Sequence, residues 1–127
     1  MVKMKLFKKR INKILQNFSS EEIIAIDKFA NFFGQESRGL AQMRGNGVLI
    51  LTNSKLIFEL FLPKRRFEIL INDILNIEVV KSHLKKTKLR PLLKVIFKNE
   101  RGEIDSVAWL VKDLQLWKDK IKDLLKK

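Results

Sequence analysis

The segment that decides the fold is Gly47-Val48-Leu49-Ile50-Leu51-Thr52-Asn53-Ser54-Lys55-Leu56-Ile57-Phe58, near the middle of the 127-residue chain. Its four consecutive apolar residues, 48–51, are typical of a short buried strand. The polar residues 52–55 supply turn chemistry, and a second apolar run then extends to Leu62, where Pro63 closes it. The segment therefore predicts two adjacent strands joined by a tight turn.

Further strands are predicted on both sides of this pair. Downstream, apolar runs separated by turn residues cover residues 67–71, 74–79, 93–97 and 104–110. Upstream, the residue types of 22–33 are compatible with a helix or a strand, and the stretch 34–47, which holds four glycines, indicates a loop or a broken hairpin connection. Short strands at this spacing predict a closed or nearly closed antiparallel barrel of about seven strands.

Two helices are predicted to flank the strands. Apolar residues recur at steps of three and four from about residue 3 to residue 17, and again over about 112–126. The predicted fold class is mainly β (α+β), with one domain over 21–127 and a basic amphipathic helical extension over 1–20.

The N-terminal helix has two interpretations that the sequence leaves open. A basic amphipathic helix can lie in an anionic membrane interface. Alternatively, its apolar stripe packs on its own domain or on a partner. The residues singled out for such a contact are Phe7, Lys8, Lys9, Arg10, Ile11 and Lys13.

The composition argues against an enzyme. The chain has no cysteine, no tyrosine and one histidine, His83, which excludes disulfides, thiolate zinc sites and a cysteine nucleophile. The carboxylates Asp73 and Glu78 have no spacing that suggests paired acid–base work. Gly45-Asn46-Gly47 lacks the lysine of a phosphate-binding loop. We therefore expect a protein without catalytic residues, metal, cofactor or small-molecule substrate.

Positive charge is concentrated in two segments. The chain carries 27 Lys and Arg against 14 Asp and Glu, a net charge of +13, and residues 1–18 and 81–94 each hold six basic residues and no acidic one. We expect 81–90 to form a flexible basic loop between two strands, and 64–66 to form a basic turn. The predicted anion- and lipid-binding residues are Lys64, Arg65, Arg66, Lys81, Lys85, Lys86, Lys88 and Arg90.

Phosphate backbones, acidic lipid headgroups and acidic proteins all attract such clusters. Nucleic acid is the least favoured of the three, because 81–90 contains no Phe or Trp on which a base could stack. No apolar run approaches the roughly 20 residues of a membrane span. The segment 1–18 is too charged for a secretory signal. We expect a cytoplasmic protein that associates peripherally with the inner membrane face.

The central segment resembles a known family. Residues 47–58 are similar to the Gly-x-Leu-x-Leu-Thr-x-x-x-Leu-x-Phe hairpin of GRAM and bacterial PH-like domains, which belong to the pleckstrin-homology superfamily. Residues 67–74, the upstream residues 21–24 and 30–33, and the C-terminal residues 113–117 also resemble parts of that family. The resemblance favours a strand within 22–33 and a helix that plugs the open end of the barrel.

The resemblance implies a non-catalytic binding module for acidic lipids or protein surfaces. The connection between the first two strands, however, offers only Arg38 and Arg44 where tight phosphoinositide binders of this superfamily carry several cations. Peripheral association with anionic lipids through basic loops is therefore the expected function. A protein-interaction module, including a homo-oligomer, is the alternative.

Overall fold

The computed structural model describes residues 2–19, 22–38, 45–61, 64–83 and 86–126, without the side chains of residues 2–7, 38 and 82–89. In this part of the chain two α-helices, one at each end, flank seven strands. The elements are α1 (Val2–Leu15), β1 (Ala25–Gln35), β2 (Gly45–Leu51), β3 (Lys55–Leu60), β4 (Arg65–Leu70), β5 (Ile74–His83), β6 (Lys86–Lys98), β7 (Ile104–Leu110) and α2 (Leu114–Leu125). Short 3-10 turns cover Glu36–Arg38 and Ile71–Asp73.

The seven strands form one antiparallel sheet in the order β4-β3-β2-β1-β7-β6-β5. β4 and β6 are five strand spacings apart, which would be about 24 Å in a flat sheet. Nevertheless, the rings of Phe67 on β4 and Phe97 on β6 have their centroids 6.0 Å apart. The sheet is therefore strongly curled around its own inner face. Among the described residues no ladder joins β4 to β5, so the barrel is not closed.

A bend in β1 allows this curl. β1 pairs with β2 along most of its length and with β7 near its C-terminal end, and its pairing with β2 shifts register between Asp27 and Ala30. One carboxylate oxygen of Asp27 accepts a hydrogen bond from the amide of Phe29 at 2.9 Å. The other accepts one from the amide of Lys112 at 2.7 Å. Asp27 thus satisfies a backbone donor at the irregularity and ties β1 to the segment that leads into α2.

The predicted strand pair at 47–58 is confirmed as β2 and β3. The hydroxyl oxygen of Thr52 accepts hydrogen bonds from the amides of Ser54 and Lys55 at 3.3 and 3.1 Å, which fixes the turn. The residues 22–33, ambiguous by composition, lie largely in β1 as the resemblance indicated. The stretch 34–47 connects β1, which continues to Gln35, to β2, which begins at Gly45 and pairs antiparallel with β1, as the predicted hairpin connection requires. Residues 39–44 of this connection lie outside the described residues.

The main core lies between the inner face of the curled sheet and α2. Trp117 and Ile121 of α2 are buried in the same cluster as Phe58, Trp109 and Phe97. Asp113 caps the helix by accepting a hydrogen bond from the amide of Leu116 at 3.2 Å. The predicted C-terminal helix is confirmed with slightly shorter bounds, and its apolar face covers the interior of the sheet.

The N-terminal helix packs on the outer face of the same sheet. Ile11 and Ile14 are buried against Val48, Ile50 and Ile57 of β2 and β3. The alternation of a strand makes this possible, because β2 sends Leu49 and Leu51 inward to the main core and its other side chains outward. The four-residue apolar run that marks β2 is therefore explained by burial on both faces.

One sequence-based expectation is wrong. Residues 81–90 do not form a flexible loop, because β5 extends to His83 and β6 begins at Lys86, so the two strands make a long hairpin. Its ladder shifts register between Val80 and Ser82. Pro91, which has no amide hydrogen to donate, lies beside this irregularity. The hairpin extends past the end of β7, where its two strands have no third strand beside them in the described part of the chain. Its sequence there is mostly polar, and for this reason it resembled a loop.

A buried carboxylate fastens the end of β1 to β7. Asp105 accepts hydrogen bonds from the side-chain amide of Gln35 at 2.7 Å and from the backbone amides of Ser37 and Ser106 at 3.0 and 2.8 Å. Burial alone would raise the pKa of Asp105, but these hydrogen bonds outweigh it and hold the pKa below its usual value of 3.8. The ionised carboxylate thus stabilises the fold.

Replacing Gly47 with alanine should destabilise the sheet. A Cβ at Gly47 would overlap the carbonyl oxygen of Glu59 on β3 and approach the ring of Phe58 at 2.8 Å. We expect G47A to lower the free energy of unfolding by about 1–3 kcal/mol, measured by urea denaturation. Gly45→Ala is the matched control, because its Cβ would meet only the flexible end of Leu60 at 3.3 Å. Equal losses in both variants would contradict this account of Gly47.

Asp105 should make stability depend on pH in the acid range. Because its pKa is depressed in the folded state, its contribution is complete above the unfolded-state pKa near 3.8 and is lost as the pH falls through the lower folded-state value. We expect Asp105→Asn to cost roughly 1–3 kcal/mol at neutral pH. The difference from the unmodified protein should shrink below about pH 4, as measured by urea denaturation at a series of pH values. A difference that is constant with pH would refute the assignment.

Candidate anion-binding site

A basic pocket of about 300 Å³ lies where α1 crosses the outer face of the sheet near the β3–β4 turn. One wall comes from α1 and the other from β3, the turn and the first residues of β4. Its lining residues are Arg10, Lys13, Ile14, Asn17, Glu59, Lys64, Arg65 and Arg66. We call this cavity the helix–turn pocket.

Helical spacing places the α1 side of the helix–turn pocket. Arg10 and Lys13 are three residues apart and Ile14 follows directly, so they share one side of the helix. Ile14 is buried on the sheet. Because Ile14 contacts the sheet, Arg10 and Lys13 lie at the edge of the interface between α1 and the sheet. Nη2 of Arg10 donates a hydrogen bond to the carbonyl oxygen of Leu60 at 3.2 Å, which fixes this side chain against the end of β3.

The strand side contributes three consecutive cations. Lys64 and Arg65 are exposed, and Arg66 is engaged by two carboxylates: its Nη1 lies 3.5 Å from Glu59 and its Nε lies 2.7 Å from Glu68. The guanidinium of Arg66 also lies 5.9 Å from the centre of the Phe18 ring. Arg66 therefore has a structural part in holding the segment after α1 on β4.

The ion pairs on β4 also affect Glu68. Burial would raise the pKa of Glu68, but the hydrogen bond and charge of Lys55, at 3.2 Å, and the charge of Arg66 outweigh it and lower the pKa. Glu68 therefore stays ionised and continues to neutralise Arg66. Glu59 and Glu68 thus both pair with Arg66, which is one of the five cations that line the helix–turn pocket.

The helix–turn pocket is left with an excess of positive charge. Its lining holds five cationic side chains and one carboxylate, a net charge of +4. Among the described residues no carboxylate lies within ion-pair distance of Arg10, Lys13, Lys64 or Arg65. The buried Nε of Arg10 has no hydrogen-bond partner in the described part of the chain. Such an arrangement favours an anion from outside.

A second, larger cavity differs in its charge balance. It has a volume of about 730 Å³ and runs along β4 toward the end of β6 and the β6–β7 turn. Three cations and three carboxylates line it: Arg66, Lys98, Arg101, Glu68, Asp73 and Glu100. Because these charges are matched, this cavity does not select for an anion.

The other predicted basic residues lie elsewhere. The β5–β6 turn and the β3–β4 turn lie at opposite ends of the antiparallel strands, so the sheet does not bring Lys81–Arg90 together with Lys64–Arg66. Lys81 and Arg90 are exposed, and Nη2 of Arg90 lies 3.5 Å from the carbonyl oxygen of Lys112. The predicted Lys85 lies outside the described residues, as do the side chains of Lys86 and Lys88.

On α1, the predicted contact residues divide between the interface and the solvent. Lys8, Lys9 and Lys13 are exposed, Arg10 is half-buried, and Ile11 is buried on the sheet. The side chain of Phe7 lies outside the described residues. The sequence predicted Lys8, Lys9, Arg10 and Lys13 on α1 and, separately, the basic turn 64–66 as contact residues. It gave no indication that these two groups lie side by side. It also missed Asn17 and Glu59, which carry no signal without knowledge of where α1 docks.

In the described part of the chain, no group of three or more His, Asp or Glu side chains is arranged to hold a metal ion. None of the described helices combines the length and apolar character needed to cross a bilayer.

Comparisons with known proteins show similarity of fold. No protein-family model and no curated protein sequence matches this chain. The C-terminal domain of an unknown protein from Leishmania infantum superimposes with a TM-score of 0.57 at 13% identity, covering 98% of this chain and 99% of that one. A chain of the 8S snRNP assembly intermediate superimposes with a TM-score of 0.59 at 9% identity, covering 85% of this chain and 82% of that one. At these identities the likeness concerns the backbone architecture alone.

Proposed function

We propose that this protein is a non-catalytic PH/GRAM-like binding module that associates peripherally with anionic membrane surfaces. The observation that carries the proposal is the excess positive charge of the helix–turn pocket, where four of five cations have no carboxylate partner among the described residues. Each Lys or Arg close to an anionic bilayer contributes about 1 kcal/mol of attraction at moderate salt. Four or five such residues on one surface supply useful, salt-sensitive binding.

The architecture supports the PH-like part of the proposal. Seven antiparallel strands in one strongly curled sheet, with a C-terminal helix packed on its concave face, support the barrel that the resemblance implies, although no ladder closes that barrel among the described residues. The β3–β4 turn and the β5–β6 hairpin provide basic connections at the two ends of the strands. The proposed site of association is the inner face of the membrane, reached from the cytoplasm.

The packing of α1 defines how this helix takes part. Ile11 and Ile14 are buried on β2 and β3, so they are not available to insert among lipid chains while α1 is docked. Lys8, Lys9 and Lys13 remain exposed. In the proposed function residues 8–15 of α1 therefore contribute electrostatic attraction rather than an apolar anchor.

A second candidate function is self-association through the edge of the sheet. β5 is an edge strand, and it exposes Leu75 and Val79, with 53% and 44% of their surfaces accessible. An edge strand with exposed apolar side chains can pair with another chain. Leu75→Lys would remove a dimer seen by light scattering if this candidate is right, and it would leave vesicle binding intact.

Co-sedimentation with vesicles tests the membrane proposal. The comparison uses phosphatidylcholine vesicles with and without phosphatidylserine, at low and at physiological salt. We expect binding to the anionic vesicles only, weakening as salt screens the charges. The double variant K64Q/R65Q should reduce the partition coefficient at low salt about tenfold or more, because two cations worth about 1 kcal/mol each are removed.

Two matched variants locate the binding surface. K120Q/K122Q removes two exposed lysines of α2 and should bind nearly as well as the unmodified protein. K81Q/R90Q removes two exposed cations of the β5–β6 hairpin and measures that region separately. Equal losses in all three variants would show that binding follows total charge alone. A lack of binding to anionic vesicles at either salt would overturn the membrane proposal.

A further inference from the structure

We infer that the helix–turn pocket is a discrete site for one phosphomonoester group, held between α1 and the β3–β4 turn. This inference deepens the proposed function, on which it rests for a membrane source of the phosphate. It differs from diffuse attraction in predicting saturable binding of a single ligand. It also assigns a role to α1, which lies outside the region of family resemblance.

Two separate elements contribute cations to the helix–turn pocket. Lys13 on α1 faces the same cavity as Lys64 and Arg65 of the strand side, and none of them has a carboxylate partner among the described residues. Holding like charges together costs free energy, and the cost rises where protein walls reduce the effective dielectric constant. An anion bound between the two walls would be attracted by each of these cations, and this attraction would offset the repulsion between them.

Arg10 is held in place at one side of the helix–turn pocket. One guanidinium nitrogen is fixed on the carbonyl oxygen of Leu60 at 3.2 Å, while the buried Nε lacks a partner in the described part of the chain. A buried donor without a partner is costly and uncommon, and Nε1 of Trp109 in the main core is the other such donor among the described residues. Arg10 lines the pocket and is already held on Leu60, so little of its side-chain freedom would be lost when an anion binds.

The chemistry of the lining favours a phosphomonoester over other anions. A carboxylate or a phosphodiester carries one negative charge, whereas a phosphomonoester carries about 1.5 to 2 charges and three acceptor oxygens near neutral pH. Arginine forks match this geometry. The pocket, at about 300 Å³, has the size of a small headgroup site, and none of the described residues that line it offers an aromatic ring for stacking a base. These features select a phosphomonoester rather than a nucleic acid.

Calorimetric titration with inositol 1,4-bisphosphate at physiological salt tests the site directly in solution. We expect one saturable site per chain and a ligand-dependent rise in melting temperature. K13Q/R65Q, which removes one cation from each wall, should weaken the affinity about tenfold or more, because charge-assisted hydrogen bonds are lost. K120Q/K122Q removes the same charge from α2 and should leave the affinity unchanged. Circular dichroism of both variants checks that they remain folded.

A second arm distinguishes the source of the phosphate. Vesicles containing phosphatidylinositol 4-phosphate are compared with phosphatidylserine vesicles of equal net charge. Tighter binding to the former, lost in K13Q/R65Q, supports a lipid headgroup. If the soluble bisphosphate binds but neither kind of vesicle does, the source is a free phosphomonoester. That result overturns the membrane proposal and leaves the discrete site standing.

The remaining outcomes overturn the inference itself. If anionic vesicles bind but the bisphosphate does not, the membrane proposal stands and the discrete site is rejected. If K13Q/R65Q and K120Q/K122Q lose equal affinity for the bisphosphate, its binding is diffuse. If single-stranded RNA displaces the bisphosphate at lower concentration than unlabelled bisphosphate does, the pocket is a phosphodiester site.

Discussion

The bend in β1 is the constraint on which the rest of this structure depends. β1 pairs with β2 on one side and β7 on the other, and its irregular register allows one sheet to curl until β4 and β6 share an aromatic core. Asp27 stabilises the bend because it satisfies the amide of Phe29 and holds the amide of Lys112. Without this curl α2 would have no concave face to fill. The outer face of β2 and β3 would also lose the shape on which α1 docks.

The packing of α1 on the outer face of the sheet creates the candidate site. The burial of Ile11 and Ile14 fixes the rotation of the helix, and this rotation determines that Arg10 and Lys13 line the cavity beside Lys64 and Arg65. Neither group of cations forms a pocket by itself. The same contact buries Ile11 and Ile14, so these two apolar residues of a helix that looked suited to a membrane interface are engaged within the protein.

Much of the fold could be predicted because local patterns determine it. The turn at Thr52, the strand periods and the apolar stripes of both helices act over short distances, and seven strands and two helices were expected close to where they lie. The β5–β6 hairpin was missed because residues 81–90 are mostly polar and their sequence shows no apolar–polar alternation to detect. The resemblance to PH-like domains guided the assignment of β1, where residue types alone were ambiguous.

The sequence by itself determined the elements, the excess of positive charge and the residues that carry it, since these follow from residue type and spacing. Only the tertiary structure decided which cations act together. Lys13 and Arg65 are far apart in the chain, and their meeting depends on the face of the sheet that α1 covers. The partners of Arg66 and the spare donor of Arg10 likewise depend on non-local contacts. Such contacts are set by the packing of whole elements, which no local pattern encodes.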